Sequence, residues 1–143
     1  MNTRAFGSGR PVSLFTLGTM RALNSAAQMA EVLDAAAAAG INHLETAPAY
    51  GPAERFLGEA LRQNSRIGSD HWVITSKLLP GLSFEEGQRR LDQILERLGC
   101  PQLDNLAIHG INREEHLNWA LVGDGSRLVD WAVSSGRVSQ GGF

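Results

Sequence analysis

Four residues of the sequence have types and spacings that suit proton transfer: Glu45, Tyr50, Lys77 and His109. Three of them, the acid, the amine and the imidazole, each stand at or just after the end of an apolar segment, and successive members are 32 residues apart. The phenol follows the acid by five residues. Lys77 and Tyr50 are the only lysine and the only tyrosine of the chain, which has twelve arginines. Together these groups form a set that enzymes use for acid–base chemistry.

Each of the four also has an ordinary structural interpretation. A glutamate at a strand end is usually a loop residue or a helix-cap partner, and a single histidine there is usually a hydrogen-bonded structural residue. A tyrosine often packs with its hydroxyl in water, and a lysine is normally a solvated surface charge. Because Glu45, Lys77 and His109 occupy the same phase of one repeat and Tyr50 follows Glu45 closely, the sequence favours a shared site over four separate structural roles.

The elements that would position these residues alternate between strand and helix. Hydrophobic periodicity and capping residues predict a short hairpin over residues 3–6 and 11–15, turning at 7–9. Strands are predicted at 14–17, 41–45, 72–75 and 103–108, and a fifth begins at 138. Helices are predicted from 24 or 25 to 39, then over 53–61, 83–98, 113–121 and 126–135.

This alternation predicts an α/β fold with a parallel sheet and right-handed crossovers. Chemistry in such folds collects at the carboxyl ends of the strands, where successive loops converge. Glu45, Lys77 and His109 would therefore face one mouth, with Tyr50 in a loop above it.

The composition excludes several classes of function. A chain of 143 residues with a net charge of −2 has the size of one domain and gives no electrostatic case for binding nucleic acid or membranes. No apolar run suggests a signal peptide or a membrane span. Cys100 is the only cysteine, which fits a cytoplasmic location. His43, His71 and His116 lack a second ligand at metal spacing, so no metal site is predicted.

Ordered motifs along almost the whole chain resemble the aldo-keto reductases. They are Leu17-Gly18-Thr19-Met20, then GINHLETA at 40–47, Tyr50-Gly51 with Glu54 and Leu57-Gly58, ITSK at 74–77, and residues 103–109. The segments at 109–112 and 114–117 further resemble a subgroup whose longer members carry a C-terminal iron–sulfur region.

The resemblance implies a (β/α)₈ TIM barrel whose N-terminal hairpin covers the bottom. A full barrel needs about 250 residues, so this chain supplies about four βα units plus the hairpin. We therefore expect residues 1–143 to be a single domain, the N-terminal half of a barrel truncated near the fifth strand. We also expect an iron–sulfur cluster, if the protein has one, to lie in a region beyond this chain.

The resemblance also implies a reaction, reversible hydride transfer between NADPH and a small carbonyl substrate. By motif, Tyr50 would protonate the developing alkoxide, Lys77 would favour the ionised phenol, and His109 would orient the carbonyl oxygen. The aspartate of the family corresponds to Glu45, whose extra methylene moves the carboxylate by about 1.5 Å. An uncompensated shift of that size can lower the rate about a hundredfold.

Only part of the cofactor site is expected in this chain. The resemblance implies that Gly18, Thr19 and Met20 form a wall near the nicotinamide. Groups that hold the carboxamide, pyrophosphate and adenosine would follow the fifth strand or belong to the last two units. We therefore expect this segment to be inactive alone.

Two other functions compete with this interpretation. The barrel could be a non-catalytic or interaction subunit, or Lys77 could form a Schiff base in a lyase. The half barrel also predicts self-association, because residues 17, 44, 74 and 108 would lie on an uncovered apolar inner face of the sheet.

Overall fold

The computed structural model describes residues 2–63 and 69–142. The strands are β1 (Thr3–Arg4), β2 (Val12–Ser13), β3 (Thr16–Gly18), β4 (His43–Glu45), β5 (Val73–Leu78), β6 (Leu103–Ile108) and β7 (Val138–Gly142). The helices are α1 (Ala26–Ala38), α2 (Ala53–Gln63), α3 (Phe84–Leu98), α4 (Glu114–Val122) and α5 (Asp124–Ser134). Two short 3₁₀ turns, Pro48–Tyr50 and Ser69–His71, join elements.

The main sheet has five strands in the order β3-β4-β5-β6-β7, and every neighbouring pair is parallel. Sequential parallel strands with helical crossovers are the arrangement of a βα barrel wall. The register pairs Gly18 with Glu45, and Lys77 with Ala107, at the carboxyl ends of the strands. The predicted parallel α/β fold is therefore confirmed, and all five predicted strands are present.

The helix ends follow from local capping. The Ser25 hydroxyl accepts a hydrogen bond from the backbone of Gln28 at the start of α1, and the Ser83 hydroxyl accepts one from Glu86 at the start of α3. Gly99 ends α3 with a φ of 69°, the left-handed conformation that glycine adopts without strain. These caps place the strands that follow each helix.

The hydrophobic core lies between the sheet and the helices. Leu44, Ile74 and Ile108 are 0%, 8% and 7% exposed, and Leu44 and Ile74 share one cluster with Met29 and Leu33 of α1. The prediction that residues 17, 44, 74 and 108 line an uncovered inner face is wrong. Successive residues of a strand point to opposite faces. Glu45 faces inward, and its neighbour Leu44 therefore faces the helices.

The inner face of the sheet instead carries many polar residues. The residues in phase with Glu45 and Lys77 include the polar Thr16, His43, Thr75, Asn105 and Gln140, and the apolar Val73, Leu103, Ala107 and Val138. This face therefore offers hydrogen-bonding groups where the sequence led us to expect apolar side chains.

The antiparallel pair β1–β2 forms the predicted hairpin, and its turn lies across the inner face. The Phe6 ring packs against His43 with ring centroids 4.9 Å apart. The Gln140 side chain accepts hydrogen bonds from the backbone of Ser8 and Gly9 and donates one to the Phe6 carbonyl. The hairpin thus links β4 to β7, away from the carboxyl ends of the strands.

Within the described ranges, no helix combines the length and the apolar character that crossing a membrane requires.

Candidate active site

The four candidate residues come from four different parts of the fold. Glu45 is the last residue of β4, Lys77 the last but one of β5, and His109 follows β6 directly. Tyr50 ends the 3₁₀ turn between β4 and α2. Because these strands are parallel neighbours, their carboxyl ends bring the four residues to one rim of the sheet.

The phenolic oxygen of Tyr50 lies at the centre of the group. Lys77 Nζ donates a hydrogen bond to it at 2.5 Å, and the hydroxyl donates to Glu45 Oε1 at 3.1 Å. Lys77 and Glu45 also form an ion pair, and their side chains are 16% and 24% exposed. The longer carboxylate at position 45 therefore reaches both the ammonium and the phenol.

Lys77 is a partly buried cation. Burial lowers the pKa of its ammonium, while the adjacent carboxylate of Glu45 favours the charged form. Its Nζ also lies 4.6 Å from the centre of the Tyr50 ring. An ammonium in this position stabilises negative charge on the phenolic oxygen.

His109 completes the group from the side of β6. Its ring meets the Tyr50 ring edge-on, with centroids 5.5 Å apart. Burial, and then the positive charge of Lys77, lower the pKa of the His109 imidazole. Its Nδ1 is buried and has no hydrogen-bond partner among the residues that the structure describes. A neutral imidazole with a free ring nitrogen can accept or donate one further hydrogen bond.

The three residues expected near a nicotinamide differ in exposure. Gly18, which pairs with Glu45 across β3 and β4, and Met20 are both exposed. Thr19 is 1% exposed, and its hydroxyl donates to the Thr46 hydroxyl at 2.8 Å. Thr19 therefore connects the end of β3 to the segment after β4, and of the three residues only Gly18 and Met20 are exposed.

A cavity of about 220 Å³ opens beside Lys77 and His109. The rest of its lining is mostly apolar and comes from the 3₁₀ turn that contains Tyr50, the end of β5, the loop after it and the middle of α3: Pro48, Ala49, Leu78, Leu79, Leu82 and Arg90. A mostly apolar cavity with a few polar groups is typical of a small-molecule site.

Other candidates in the sequence lie away from this rim. His43 lies 2.9 Å from the hydroxyls of both Thr16 and Thr75, which suits the structural role that the sequence favoured. Burial raises the pKa of the Cys100 thiol to about 11, so this cysteine is an unreactive thiol at neutral pH.

Sequence reasoning named Glu54 only as part of a family motif and missed the buried ionic group that it forms beneath the rim. Glu54, in the first turn of α2, accepts hydrogen bonds from Ser76 of β5 and Arg97 of α3. Its signal was a charged residue on the apolar side of α2, four positions from the active-site tyrosine candidate.

Comparison with known proteins identifies the family. The model of the aldo/keto reductase family matches residues 14–143. A 6-dehydroglucose reductase of Novosphingobium aromaticivorans is 30% identical over 148 aligned positions, which cover 92% of this chain and 47% of that protein.

Solved structures agree with this match. One from Pseudomonas aeruginosa, assigned to the aldo-keto reductases, superimposes with a TM-score of 0.85 and 28% identity over 97% of this chain and 57% of that chain. An aldo-keto reductase of Bacillus halodurans in its holo form has the same fold, with a TM-score of 0.79 and 20% identity, over 99% of this chain and 49% of that chain. The predicted partial barrel is confirmed, and the chain spans about half the length of these relatives. With a family match over nearly its whole length, the chain belongs to the aldo/keto reductase family.

Proposed function

We propose that the full gene product containing this chain is an NADP-dependent oxidoreductase that interconverts a small carbonyl compound and its alcohol. The observation that carries the proposal is the position of the Tyr50 oxygen, in hydrogen-bond contact with both Lys77 and Glu45. A phenol held by a cation and a carboxylate is equipped to exchange a proton with a substrate oxygen.

Tyr50 acts as the general acid in the direction of reduction. Its hydroxyl proton passes to the carbonyl oxygen as that oxygen gains negative charge. The phenolate that remains is stabilised by Lys77 Nζ, 2.5 Å away. Glu45 holds the ammonium through the ion pair and accepts from the hydroxyl before substrate binds.

His109 positions the substrate oxygen. Because its pKa is lowered, the ring is neutral at neutral pH and one nitrogen can donate a hydrogen bond to the carbonyl oxygen. The cavity beside Lys77 and His109 accommodates a small substrate there. The N. aromaticivorans relative is named for a sugar-derived substrate, so such carbonyl compounds are the first to test.

The residues present fit the reacting end of NADPH, which supplies the hydride when bound. Gly18 and Met20 are exposed, and Gly18, which lies next to Glu45, has no side chain to obstruct a flat ring. Gly18 and Met20 would hold the nicotinamide end of the dinucleotide on this side of the mouth.

The Schiff-base alternative is less favoured by the geometry. A lysine attacks a carbonyl as the neutral amine, and Lys77 Nζ is engaged by both Tyr50 and Glu45, whose carboxylate favours the charged form. A non-catalytic subunit remains the second candidate, and the assay below separates it from the reductase. We also propose a cytoplasmic location.

Carbonyl-dependent oxidation of NADPH by the full gene product tests the proposal. We expect turnover with at least one small aldehyde or ketone, and we expect Tyr50→Phe to lower kcat by about a hundredfold or more. Circular dichroism of the variant shows whether the fold is kept. Tyr50→Phe with unchanged turnover, or NADPH binding without any turnover, would overturn the reductase assignment, and the second result would favour a non-catalytic subunit.

A further inference from the structure

The segment that carries Tyr50 is attached to β5 at three consecutive strand residues. The Thr46 backbone donates to the Thr75 carbonyl at 2.9 Å. Four residues after Tyr50, the Glu54 carboxylate accepts from the Ser76 hydroxyl at 2.6 Å. Between these two anchors, Tyr50 meets Lys77, the next residue of the strand. The position of the phenol relative to the ammonium therefore depends on the two hydrogen bonds that attach this segment to β5, one from Thr46 and one to Glu54.

The Glu54 carboxylate, which forms the second of these attachments (the Glu54 anchor), is buried, and both of its oxygens accept hydrogen bonds. The residue is 1% exposed. Its Oε1 accepts from Ser76, while its Oε2 accepts from Arg97 Nε at 2.8 Å and pairs with Arg97 Nη2 at 2.7 Å. Charge-assisted hydrogen bonds of this kind are short and directional. A carboxylate held from two sides cannot move far without leaving a buried charge unpaired, which is strongly destabilising.

The packing of α2 on α3 allows this contact. Gly58 lies one helical turn after Glu54, and a Cβ there would stand 2.0 Å from the Arg97 carbonyl oxygen. The two helices therefore meet at the glycine at closer range than any other residue type permits. This close approach brings the Arg97 guanidinium to the buried carboxylate.

We propose that Glu54 is a positioning residue that holds Tyr50 against Lys77 by bonding Ser76. The carboxylate connects the first turn of α2 to Ser76, the strand residue directly before Lys77, through one hydrogen bond. Arg97 compensates its charge and leaves Oε1 free for the serine. The consequence for turnover rests on the function proposed above, whereas the consequence for the Lys77 contact does not.

Because Lys77 is the only lysine of the chain, its accessibility can be measured directly. An amine-specific acylating reagent is applied to the 143-residue chain, and mass spectrometry follows the Lys77 peptide apart from the N-terminal amine. We expect Ser76→Ala, which cuts only the link to β5, to raise the acylation rate of Lys77 about fivefold, the factor expected for loss of one buried hydrogen bond. Glu54→Gln should act in the same direction.

The matched control is Glu59→Gln. Glu59 lies on the same helix and pairs with Arg55 at the surface, so the substitution removes one negative charge and leaves the anchor intact. Its Lys77 acylation rate should equal that of the unsubstituted chain. In the full gene product, Ser76→Ala should lower kcat about tenfold at nearly unchanged KM for the carbonyl.

A purely structural role for Glu54 would lower the unfolding midpoint but leave Lys77 acylation unchanged in the folded variants, and that result would overturn the proposal. If Glu54→Gln does not fold, Ser76→Ala decides the matter. If the unsubstituted gene product has no turnover, the proposed function fails, yet the acylation rates still decide whether Glu54 positions the contact.

Discussion

The Tyr50 oxygen accepts a hydrogen bond from Lys77 Nζ at 2.5 Å and donates to Glu45 Oε1 at 3.1 Å. The motif resemblance implies an aspartate at this position in the family, and the glutamate carboxylate contacts the phenol as well as the ammonium. Gly18 is its partner across the β3–β4 pair, and a Cβ on Gly18 would lie 3.4 Å from Glu45 Oε2. A methyl group at position 18 would therefore make an ordinary van der Waals contact with the acid.

Shortening that acid should reduce turnover. Glu45→Asp withdraws the carboxylate by about 1.5 Å and separates it from Tyr50, so we expect kcat of the full gene product to fall ten- to a hundredfold, with KM little changed. Steady-state NADPH oxidation measures both constants. Glu45→Gln, which keeps the length and removes the charge, serves as the comparison. An aspartate variant as active as the unsubstituted protein would show that Glu45 does not need to reach the phenol.

The pH dependence of turnover should report on His109. Its pKa is lowered by burial and by Lys77, so the neutral ring persists below the ordinary histidine value of about 6.5. We expect kcat/KM to stay level as the pH falls through that value and to decline only at lower pH. In His109→Gln the decline should disappear, along with most of the activity. A decline centred at the ordinary value would contradict a lowered pKa.

Stability should also depend on pH, through His43. Burial lowers its pKa in the folded chain, whereas the unfolded chain keeps a value of about 6.5. The unfolded state therefore binds more protons between the two values, and stability is lost as the pH falls through that window. Urea unfolding at a series of pH values should show this slope, and His43→Gln should reduce it. His109 adds a slope of the same sign, so the comparison is made with His109→Gln as a second variant.

Gly58 should not tolerate a side chain. A Cβ there would stand 2.0 Å from the Arg97 carbonyl, so Gly58→Ala must push α2 and α3 apart. We expect a loss of about 1–3 kcal/mol in the free energy of unfolding, measured by urea denaturation. Ala38→Gly, in the last turn of α1, shows the smaller effect expected of helix propensity alone.

Self-association stays a prediction, now on a different physical basis. In the described sheet, β3 and β7 each have a neighbour on one side only, and Leu14 and Phe15 are 54% and 66% exposed beside β3. Free edges next to apolar side chains favour association. Light scattering of the isolated chain should give a mass above 15.4 kDa, and a stable monomer at that mass would contradict the prediction.

The elements and the rim could be predicted from the sequence because their signals are local. Ser25, Ser83 and Gly99 mark helix ends through hydrogen bonds and backbone angles that depend only on nearby residues. The common phase of Glu45, Lys77 and His109 follows from the repeat of strand and helix. In a parallel sheet, residues at the same phase of the repeat lie close together at the carboxyl ends of the strands.

Two features depended on the tertiary structure. Alternation along a strand separates its residues into two faces but does not say which face meets the helices. The sequence therefore predicts the wrong side for the apolar residues Leu44 and Ile74. The Glu54 anchor joins residues 22 and 43 positions apart, on β5 and α3. The sequence alone determined that Glu45, Lys77 and His109 reach the rim, because the order of the strands and the spacing of these residues can be read from it. The fold decided what each face meets and how the phenol is held, since packing between distant segments sets both.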